Sequence, residues 1–495
     1  MQPPSDGGPV KAGATLQAAR SAGGGTRIYL GRGRGGWAWA GPQRSTLVLG
    51  PSRSGKTSSL VIPNILLAAG AVVTTSTKPD VLEATAANRS RVGPAMLYDP
   101  SGTVEVPPGV ERIGWSPVHA SSTWDGALST ASALVQTAYT GTGSSGHRPG
   151  DHWSERASSL LAPLLLAASS ASEPMTVVMR WVDRHDGLDA LDILSASTAS
   201  EPAADLLAGI LSTDSRELSG IWSTASGALS AYRSIGARSS TQLPPLDAED
   251  FCSASATLYI CAAGRQQAML APLVVGMLGE IRDAAYRRAA AATSGPPVLM
   301  AIDEAANIAP IPDLPQLVSE GPGQGLLTLA CLQDLSQARA RWGAQADGFV
   351  SLFGTTVVLG GIADIATLET ISALAGERDV PTRTVGSSLD NEGRPRPSTT
   401  VSTVRQRRLP VDQIARGQPG MALALDGHNR VGWLELSPAH LRSPWRELVA
   451  SGREPTTVDR PGAHRTPSTR DHRSGGEHRG PAGGRTELGR DDRSR

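Results

Sequence analysis

Residues 45–57 read Ser45-Thr46-Leu47-Val48-Leu49-Gly50-Pro51-Ser52-Arg53-Ser54-Gly55-Lys56-Thr57. The apolar run predicts a buried strand, and the residues from Gly50 to Thr57 match the phosphate-binding-loop pattern G-x-x-x-x-G-K-[ST] in full. A helical pattern begins near Lys56. This order of strand, glycine-rich loop and helix directs backbone N–H groups and a helix dipole at phosphate. The segment is therefore expected to bind ATP.

The residue types of this loop suit separate parts of ATP·Mg²⁺. Lys56 is expected to reach the β- and γ-phosphates, and Thr57 is expected to ligate Mg²⁺. Nucleotide contacts are expected from the whole loop and the residue after it, namely Gly50, Pro51, Ser52, Arg53, Ser54, Gly55, Lys56, Thr57 and Ser58.

A second glycine motif lies upstream. The run Gly31-Arg32-Gly33-Arg34-Gly35-Gly36 satisfies G-x-G-x-x-G, the dinucleotide-binding pattern. No strand–helix–strand pattern surrounds it, and a complete phosphate-binding loop follows closely. We interpret this run as a flexible hairpin.

Two acidic residues follow another apolar run. Val298–Ile302 predicts a buried strand, and Asp303-Glu304 stands at its C-terminal tip, where open α/β sheets bind ligands. Paired with the phosphate-binding loop, Asp303 is expected to hold the magnesium shell and Glu304 to orient or deprotonate the attacking water. The alternative for Glu304 is a surface acid at a strand end.

Gln333 ends a further predicted strand, Leu326–Leu332, and a helical pattern follows it. An amide at the tip of a central strand can sense the γ-phosphate and relay its loss. The alternative is that Gln333 simply caps the next helix.

The charge composition gives no general signal for a partner. Lys+Arg and Asp+Glu are 46 each, so any basic surface must be local. Lysine occurs only at Lys11, Lys56 and Lys78, so a lysine can mark a site that needs a compact ammonium. Lys78 is therefore a second candidate, with chance survival as the alternative.

The sequence predicts a soluble protein of the reducing cytoplasm. Its three cysteines are scattered, apolar-flanked and without metal-ligand spacing, so we expect buried thiols. The first residues lack a signal peptide's apolar core, and the longest apolar runs are too short or interrupted to span a bilayer.

Apolar runs alternate with helical stretches, which predicts an α/β fold with a mostly parallel sheet and helices on both faces. The candidate strands are 45–50, 71–76, 95–99, 256–262, 298–302, 326–332 and 355–360. Two late β-hairpins are expected, one from 383–388 and 399–407 and one from 420–425 and 430–436. We predict a flexible arm (1–25), an ATPase domain in two parts (26–110 and 251–450), an inserted all-helical domain (111–250) and a disordered tail (451–495).

At this point the sequence resembles the ATPase domain of type IV secretion coupling proteins, the conjugative DNA-transfer ATPases of the TraG/TraD-like family. The resemblance covers roughly residues 40–450. It is carried by Ser45–Asn64, Trp115-Ser116-Pro117, Asp151–Ala168, Asp303–Leu317, Leu327–Leu335 and Gly360–Gly376.

The resemblance implies a RecA-like ATPase with an inserted all-α domain. It implies assembly as a ring of six that feeds single-stranded DNA or relaxase-bound DNA to a secretion channel. Gln333 then matches the family's sensor-like glutamine, between the loop strand and the Asp303 strand. Arg265 is the best candidate for an arginine finger that would reach a neighbour's γ-phosphate. With 43 arginines in the chain, a solvent-exposed arginine without this role is the favoured alternative.

Two features depart from the family pattern. The N-terminal transmembrane hairpin usual in the family is missing, so membrane contact is expected only through partners, at the inner face of the cell membrane. The second-strand motif reads Ser76-Thr77-Lys78-Pro79-Asp80, in which Lys78 takes the family's lysine position and the glycine is lost.

Three functions compete at this stage. The first is an ATP-driven DNA or nucleoprotein translocase, and the second is an adaptor that uses ATP only to switch assembly and to recruit relaxase. The third, a septal-type chromosome translocase, should bring a winged-helix domain, for which 451–495 is too short and too poor in apolar residues. DNA contact is expected from local arginines, namely Arg233, Arg238, Arg339, Arg341, Arg405, Arg407 and Arg408.

Overall fold

The structure is a computed structural model, and it describes residues 26–139, 150–262, 267–389, 391, 393–427 and 430–450. The described residues fall within one compact unit. The strands in chain order are β1 Tyr29–Gly33, β2 Gly36–Trp39, β3 Thr46–Leu49, β4 Val72–Ser76, β5 Ala95–Tyr98, β6 Glu111–Arg112, β7 Thr257–Cys261, β8 Val298–Ile302, β9 Leu326–Leu332, β10 Thr355–Leu359, β11 Glu377–Leu389, β12 Pro395–Arg407, β13 Met421–Asp426 and β14 Arg430–Glu435.

Twelve of these strands form one sheet, in the order β2-β1-β14-β13-β10-β3-β9-β8-β4-β7-β5-β6. Every pairing from β10 to β6 is parallel, and β13, β14, β1 and β2 extend the sheet with antiparallel pairings. The sheet is therefore mixed but mostly parallel, which confirms the predicted α/β fold. All seven predicted strands are present, with ends displaced by at most one residue.

The three predicted hairpins are also present. β1 and β2 pair through Gly33 and Gly36, so the upstream glycine motif is a hairpin at the sheet edge. β13 and β14 form a hairpin within the sheet. β11 and β12 form a separate two-stranded ribbon, which runs in register from Glu377↔Arg407 to Leu389↔Pro395. β11 is longer than predicted mainly at the base of the ribbon, and β12 is longer at its tip.

Helices cover both faces of the sheet. The buried apolar residues form two clusters, one on each face of the sheet. A π-helical turn, Thr57–Val61, leads into the first α-helix. The α-helices are α1 Ile62–Leu67, α2 Asp80–Arg89, α3 Pro117–Ala120, α4 Trp124–Tyr139, α5 Gly150–Ser170, α6 Met175–Arg184, α7 Leu188–Ser195, α8 Glu201–Leu211, α9 Ser215–Ala228, α10 Ile235–Ser240, α11 Ala248–Ser253, α12 Gln267–Ala290, α13 Ala305–Ile308, α14 Leu314–Glu320, α15 Leu335–Trp342, α16 Phe349–Leu352, α17 Ile365–Leu374, α18 Val411–Arg416 and α19 Trp445–Ala450.

The segment between β5 and β7 is mainly helical in its described part, from α3 onward. It contains α3 to α11, and its strand residues are the short β6, Glu111–Arg112. Helix α4 packs against α5 and against α12, which follows β7, so this helical layer joins the core of the sheet. Across the described residues, no helix is both long enough and apolar enough to cross a membrane.

Candidate functional site

The phosphate-binding loop lies where β3 ends, between two neighbouring strands. The N–H of Gly50 donates to the carbonyl of Leu332 at 3.2 Å, which ties the loop to β9. A Cβ at Gly50 would lie 2.8 Å from Ser54 Oγ and 3.0 Å from Leu359 Cβ, so only glycine fits there. Gly55 has φ +93°, a conformation that other residues rarely adopt. The close turn predicted from the glycines is therefore present.

Lys56 is folded inward over this loop. Its side chain is buried at 7% exposure. The Nζ ammonium donates to the Gly50 carbonyl at 2.5 Å and to the Pro51 carbonyl at 2.9 Å. The ammonium is thus held against the backbone of the loop by two of its carbonyls.

Thr57 joins the loop to the second predicted motif. Its hydroxyl donates to Asp303 Oδ2 at 2.5 Å, across 246 residues of sequence. Asp303 is buried at 8% exposure, and its backbone is held by Thr75 of β4. Burial raises the pKa of Asp303, and the hydrogen bond from Thr57 and the charge of Lys56 oppose that rise. A hydroxyl and a buried carboxylate side by side are oxygen ligands of the kind that Mg²⁺ takes.

Glu304 stands next to Asp303 on an unusual backbone. Its φ is +55° and its ψ is 53°, in the left-handed region. Asn307 Nδ2 donates to Glu304 Oε2 at 3.2 Å and orients the half-buried carboxylate. Non-glycine residues keep such conformations chiefly at functional sites. Asn307 was missed by the sequence reasoning, although it stands one helical turn after Glu304.

Gln333 lies at the C-terminal end of β9, and β9 lies between β3 and β8. This is the placement that the family resemblance implied. The helix that follows is capped by Asp334, whose carboxylate accepts from the Gln337 N–H at 3.0 Å. The alternative for Gln333, a helix cap, is therefore wrong.

The structure places Lys78 but not Arg265. Lys78 is exposed, two residues beyond β4, and β4 is the direct neighbour of β8. It therefore stands at the same edge of the sheet as Asp303. Arg265 lies outside the described residues, so its predicted role as an arginine finger stays a prediction.

The glycine pair Gly360-Gly361, just after β10, lies beside the phosphate-binding loop. Gly361, just after β10, has φ +97°, and a Cβ there would lie 3.1 Å from Pro51 Cγ. Its N–H donates to the Ala415 carbonyl at 2.7 Å. The sequence signal was the Gly360-Gly361 pair at a strand end, which entered the family resemblance as part of Gly360–Gly376 but was given no predicted contact.

Most of the arginines predicted to contact DNA take part in ion pairs on the surface. The pairs, with their shortest N–O distances, are Arg233–Asp183 at 3.7 Å, Arg339–Asp364 at 3.1 Å, Arg405–Glu377 at 3.1 Å and Arg407–Glu377 at 3.9 Å. Their charge is therefore partly compensated within the chain. The three cysteines are buried and free, as predicted.

Residues 297–418 match a protein-family model described as the TraM recognition site of TraD and TraG. No curated protein matches the chain in sequence. Several solved structures are similar in fold. One is the bacterial conjugative coupling protein TrwBΔN70 in an unbound form, at 19% identity over 80% of this chain and 85% of that one, with a TM-score of 0.59.

Two nucleotide complexes of TrwB, described as a plasmid coupling protein, are similar as well. The complex with ADP and Mg²⁺ covers 80% of this chain and 85% of that one, and the complex with a non-hydrolysable ATP analogue covers 80% and 86%. Both are 19% identical to this chain, with TM-scores of 0.58. The predicted resemblance is confirmed at this level: the chain is similar to conjugative coupling proteins in its matched segment and in its RecA-like fold.

Proposed function

We propose that this chain is an ATP-hydrolysing coupling protein that recruits DNA or relaxase-bound DNA and moves it to a type IV secretion channel. The observation that carries the proposal is the contact between Thr57 and Asp303. It brings two separately predicted motifs into one polar site beside Lys56 and Glu304. The fold shared with conjugative coupling proteins, among them nucleotide complexes, supports the same function.

Each residue of the site has a proposed role. Bound ATP·Mg²⁺ supplies the phosphoanhydride bond that is broken. The loop N–H groups and Lys56 compensate phosphate charge, while Thr57 and Asp303 hold the metal. Glu304 accepts the proton of the attacking water, and Asn307 keeps its carboxylate oriented. Gln333 senses the γ-phosphate, and Lys78 contacts the nucleotide or the transferred strand.

The fit of the loop to a nucleotide rests on its local geometry. The loop accepts no side chain at Gly50, and the Ser54 hydroxyl is buried without a hydrogen-bond partner among the described residues. Buried polar groups are ordinarily satisfied, so an unpaired hydroxyl beside a phosphate-binding loop is suited to an oxygen of the ligand.

The proposed working form is a ring of six. In it, Arg265 would reach the γ-phosphate bound by the neighbouring subunit. We place the protein in the cytoplasm, recruited to the inner face of the membrane by secretion-channel partners. The helical part 111–250 acts as the inserted domain, and the matched segment 297–418 contains the surface that a relaxosome partner recognises.

Stimulation of turnover by DNA tests this function. A translocase should hydrolyse ATP several-fold faster with single-stranded DNA, and the Glu304→Gln variant should show neither basal nor stimulated turnover. An adaptor that only switches with ATP should turn over slowly and equally with or without DNA. Slow turnover that DNA does not change would contradict the translocase function and favour the ATP-switched adaptor.

A further inference from the structure

The ribbon β11–β12 projects from the fold with almost no cover. Apart from Val380, whose side chain is half-buried, every ribbon side chain that the structure describes is exposed. At about 3.4 Å per residue, its strands of 13 residues extend roughly 40 Å. Isolated two-stranded ribbons are at best marginally stable in water, so this one is expected to gain order from a partner surface.

One face of this ribbon is apolar in its outer part, whereas the same face carries Glu377, Asp379, Arg405 and Arg407 near the base. Residues alternate between faces along a strand, and the register pairs Val385 with Thr399 and Arg383 with Val401. Val385, Leu389 and Val401 therefore share a face, and they are 74%, 71% and 59% exposed. Arg383 stands among them and forms no ion pair with any residue that the structure describes. The opposite face is mainly polar, although the paired Val380 and Val404 near the base belong to it.

The chain also contains a large cleft away from the nucleotide site. Its volume is about 990 Å³, and it lies between α4, α12 and the segment just before α14. Apolar side chains such as Leu278, Met300 and Ile311 form its floor. Acidic residues outnumber basic ones around it, with Asp125, Asp247, Glu249, Glu280, Asp283 and Asp313 against Arg282 and Arg287.

The ribbon and the cleft belong to different parts of the sheet. The ribbon is inserted between β10 and β13, whereas the cleft lies over β8 and the helices that follow β6 and β7. Strands β3 and β9 separate β10 from β8. Two different surfaces of one molecule that fit each other give head-to-tail contacts between copies, and such contacts form a ring when the rotation from copy to copy closes.

We propose that the apolar ribbon face of one molecule docks into the acidic cleft of a second copy of this chain. The apolar side chains cover the cleft floor, and Arg383 meets the acidic rim. Charge complementarity selects this partner surface. Arginines also outnumber acidic residues in the ribbon sequence, so a ribbon facing another ribbon would bring like charges together. A surface that reads DNA backbone is expected to be cationic and polar.

The cleft wall connects this contact to the nucleotide site. Asp313 lies ten residues after Asp303, and its Oδ2 accepts from Arg282 Nη1 of α12 at 2.5 Å. A neighbour's arginine at the rim would compete for the same carboxylates. A docked ribbon would therefore contact Asp313, in the segment that follows Asp303 and Glu304 in the chain.

Cross-linking between variants that each carry one added, exposed cysteine tests the contact without relying on ATP hydrolysis. The native cysteines are buried. Val385→Cys is made in one full-length preparation and Ser129→Cys, in the cleft, in another of different mass. After mixing, a short bismaleimide should link the two kinds of molecule. Thr384→Cys, on the opposite ribbon face, is the matched control and should link several-fold less.

Other partners of the ribbon face would give different cross-linking results. Val385→Cys molecules linked mainly to each other would indicate ribbon pairs, and linkage confined to single molecules carrying both cysteines would indicate the chain's own cleft. Protection of Val385→Cys from alkylation by DNA, but not by added protein, would indicate a DNA surface. Each of these results, or no link at any attainable concentration, would overturn the proposal.

Association measured by mass photometry gives a second readout. The double variant Val385→Glu/Val401→Glu should weaken association at least about tenfold, because acidic side chains would face an acidic rim. Thr384→Glu/Thr400→Glu carries the same added charge on the opposite face and should associate like the wild type. Equal effects of both pairs would contradict a face-specific contact.

Discussion

Two residues of the nucleotide site adopt backbone conformations that side chains disfavour. Arg53 has φ +64° and Glu304 has φ +55°. Such conformations cost roughly 1–3 kcal/mol each and persist where the surrounding structure enforces them. The Thr57–Asp303 contact and the Asn307–Glu304 hydrogen bond supply that enforcement near Glu304. Positive φ also occurs outside the site, at Gln43, Ser172, His185 and Ala292, so backbone strain accompanies the site without being confined to it.

Replacing Lys56 by alanine should abolish ATP hydrolysis and cripple nucleotide binding. The phosphate charge would lose its close ammonium, and the carbonyls of Gly50 and Pro51 would lose their donor. Binding of a fluorescent ATP analogue and steady-state turnover measure the effect. Lys11→Ala, which removes a lysine far from the motif in sequence, is the control. Unchanged turnover in Lys56→Ala would contradict ATP binding by this loop.

Glu304→Gln should bind ATP normally and hydrolyse it roughly 10²–10⁴-fold more slowly, because an amide cannot accept the proton of the attacking water. Rapid-quench measurement of the hydrolysis step, together with nucleotide affinity, checks both parts. Glu320→Gln, an exposed acid on α14, should behave like the wild type. Near-normal turnover in Glu304→Gln would mean that the base lies elsewhere.

The raised pKa of Asp303 predicts that Mg²⁺ dependence changes with pH. As pH falls through this pKa, the carboxyl gains a proton and loses its value as a metal ligand, at a higher pH than an ordinary aspartate would. The Mg²⁺ concentration needed for nucleotide binding should therefore rise in that range. The stability of the metal-free fold depends on pH in the opposite direction. The protonated carboxyl favours the metal-free fold at low pH, and this contribution to the free energy of unfolding is lost as pH rises through the pKa of Asp303.

Titration of nucleotide binding with Mg²⁺ at several pH values measures the effect. Asp303→Asn has no titrating carboxyl at this position, so its weak Mg²⁺ dependence should vary little across the same range. A wild-type dependence that is flat down to the ordinary aspartate pKa of about 3.9 would contradict a buried Asp303 ligand.

At the scale of elements, the helical layer is joined to the sheet through a close contact of α12. Trp115 is buried, and its Nε1–H donates to Glu280 Oε2 of this helix at 2.8 Å. A Cβ at Gly276 would lie 2.3 Å from Trp115 Cη2. The indole therefore packs directly on the helix backbone, and glycine at this position permits the contact.

Gly276→Ala should lower the free energy of unfolding by about 1–3 kcal/mol, because the added methyl group must displace Trp115. Gly279→Ala on the same helix meets no atom within 4 Å and should raise it by up to about 1 kcal/mol through helix propensity. Urea unfolding of the two variants gives the comparison. Equal effects would mean that the indole moves aside at no cost.

At the scale of the whole molecule, balanced charge makes DNA binding depend on local arginines. Reversing Arg405, Arg407 and Arg408 to glutamate should weaken DNA binding without changing ATP affinity, since these residues lie at the ribbon base. Affinity should fall steeply with salt and show little base preference, because each neutralised phosphate releases a counterion. Fluorescence anisotropy at two salt concentrations measures both.

Two outcomes would contradict this mode of DNA contact. A salt-independent affinity would show that phosphates are not the main contact, and a sharp preference for one sequence would show direct base readout. Thr384→Glu/Thr400→Glu adds acidic charge farther along the ribbon and serves as a control for a general loss of positive potential.

The sequence by itself determined the elements whose signals are local. Apolar runs bounded by glycine and polar residues predicted the central strands, because a buried parallel strand must be apolar on both faces. The loop from Gly50 to Thr57 was predictable because its pattern reflects a backbone geometry that few other sequences can adopt. Its partner Asp303 was predictable from its place at a strand tip.

The tertiary structure decided what depends on strand order and on contacts between distant segments. It placed β9 between β3 and β8, and so Gln333 beside the loop, because long-range pairing is chosen by packing rather than by any single segment. It paired Arg405 and Arg407 with Glu377, showed that Asp334 rather than Gln333 caps the helix, and positioned Asn307 on Glu304. The free energies of such contacts come from burial and charge in three dimensions, which a local sequence pattern does not encode.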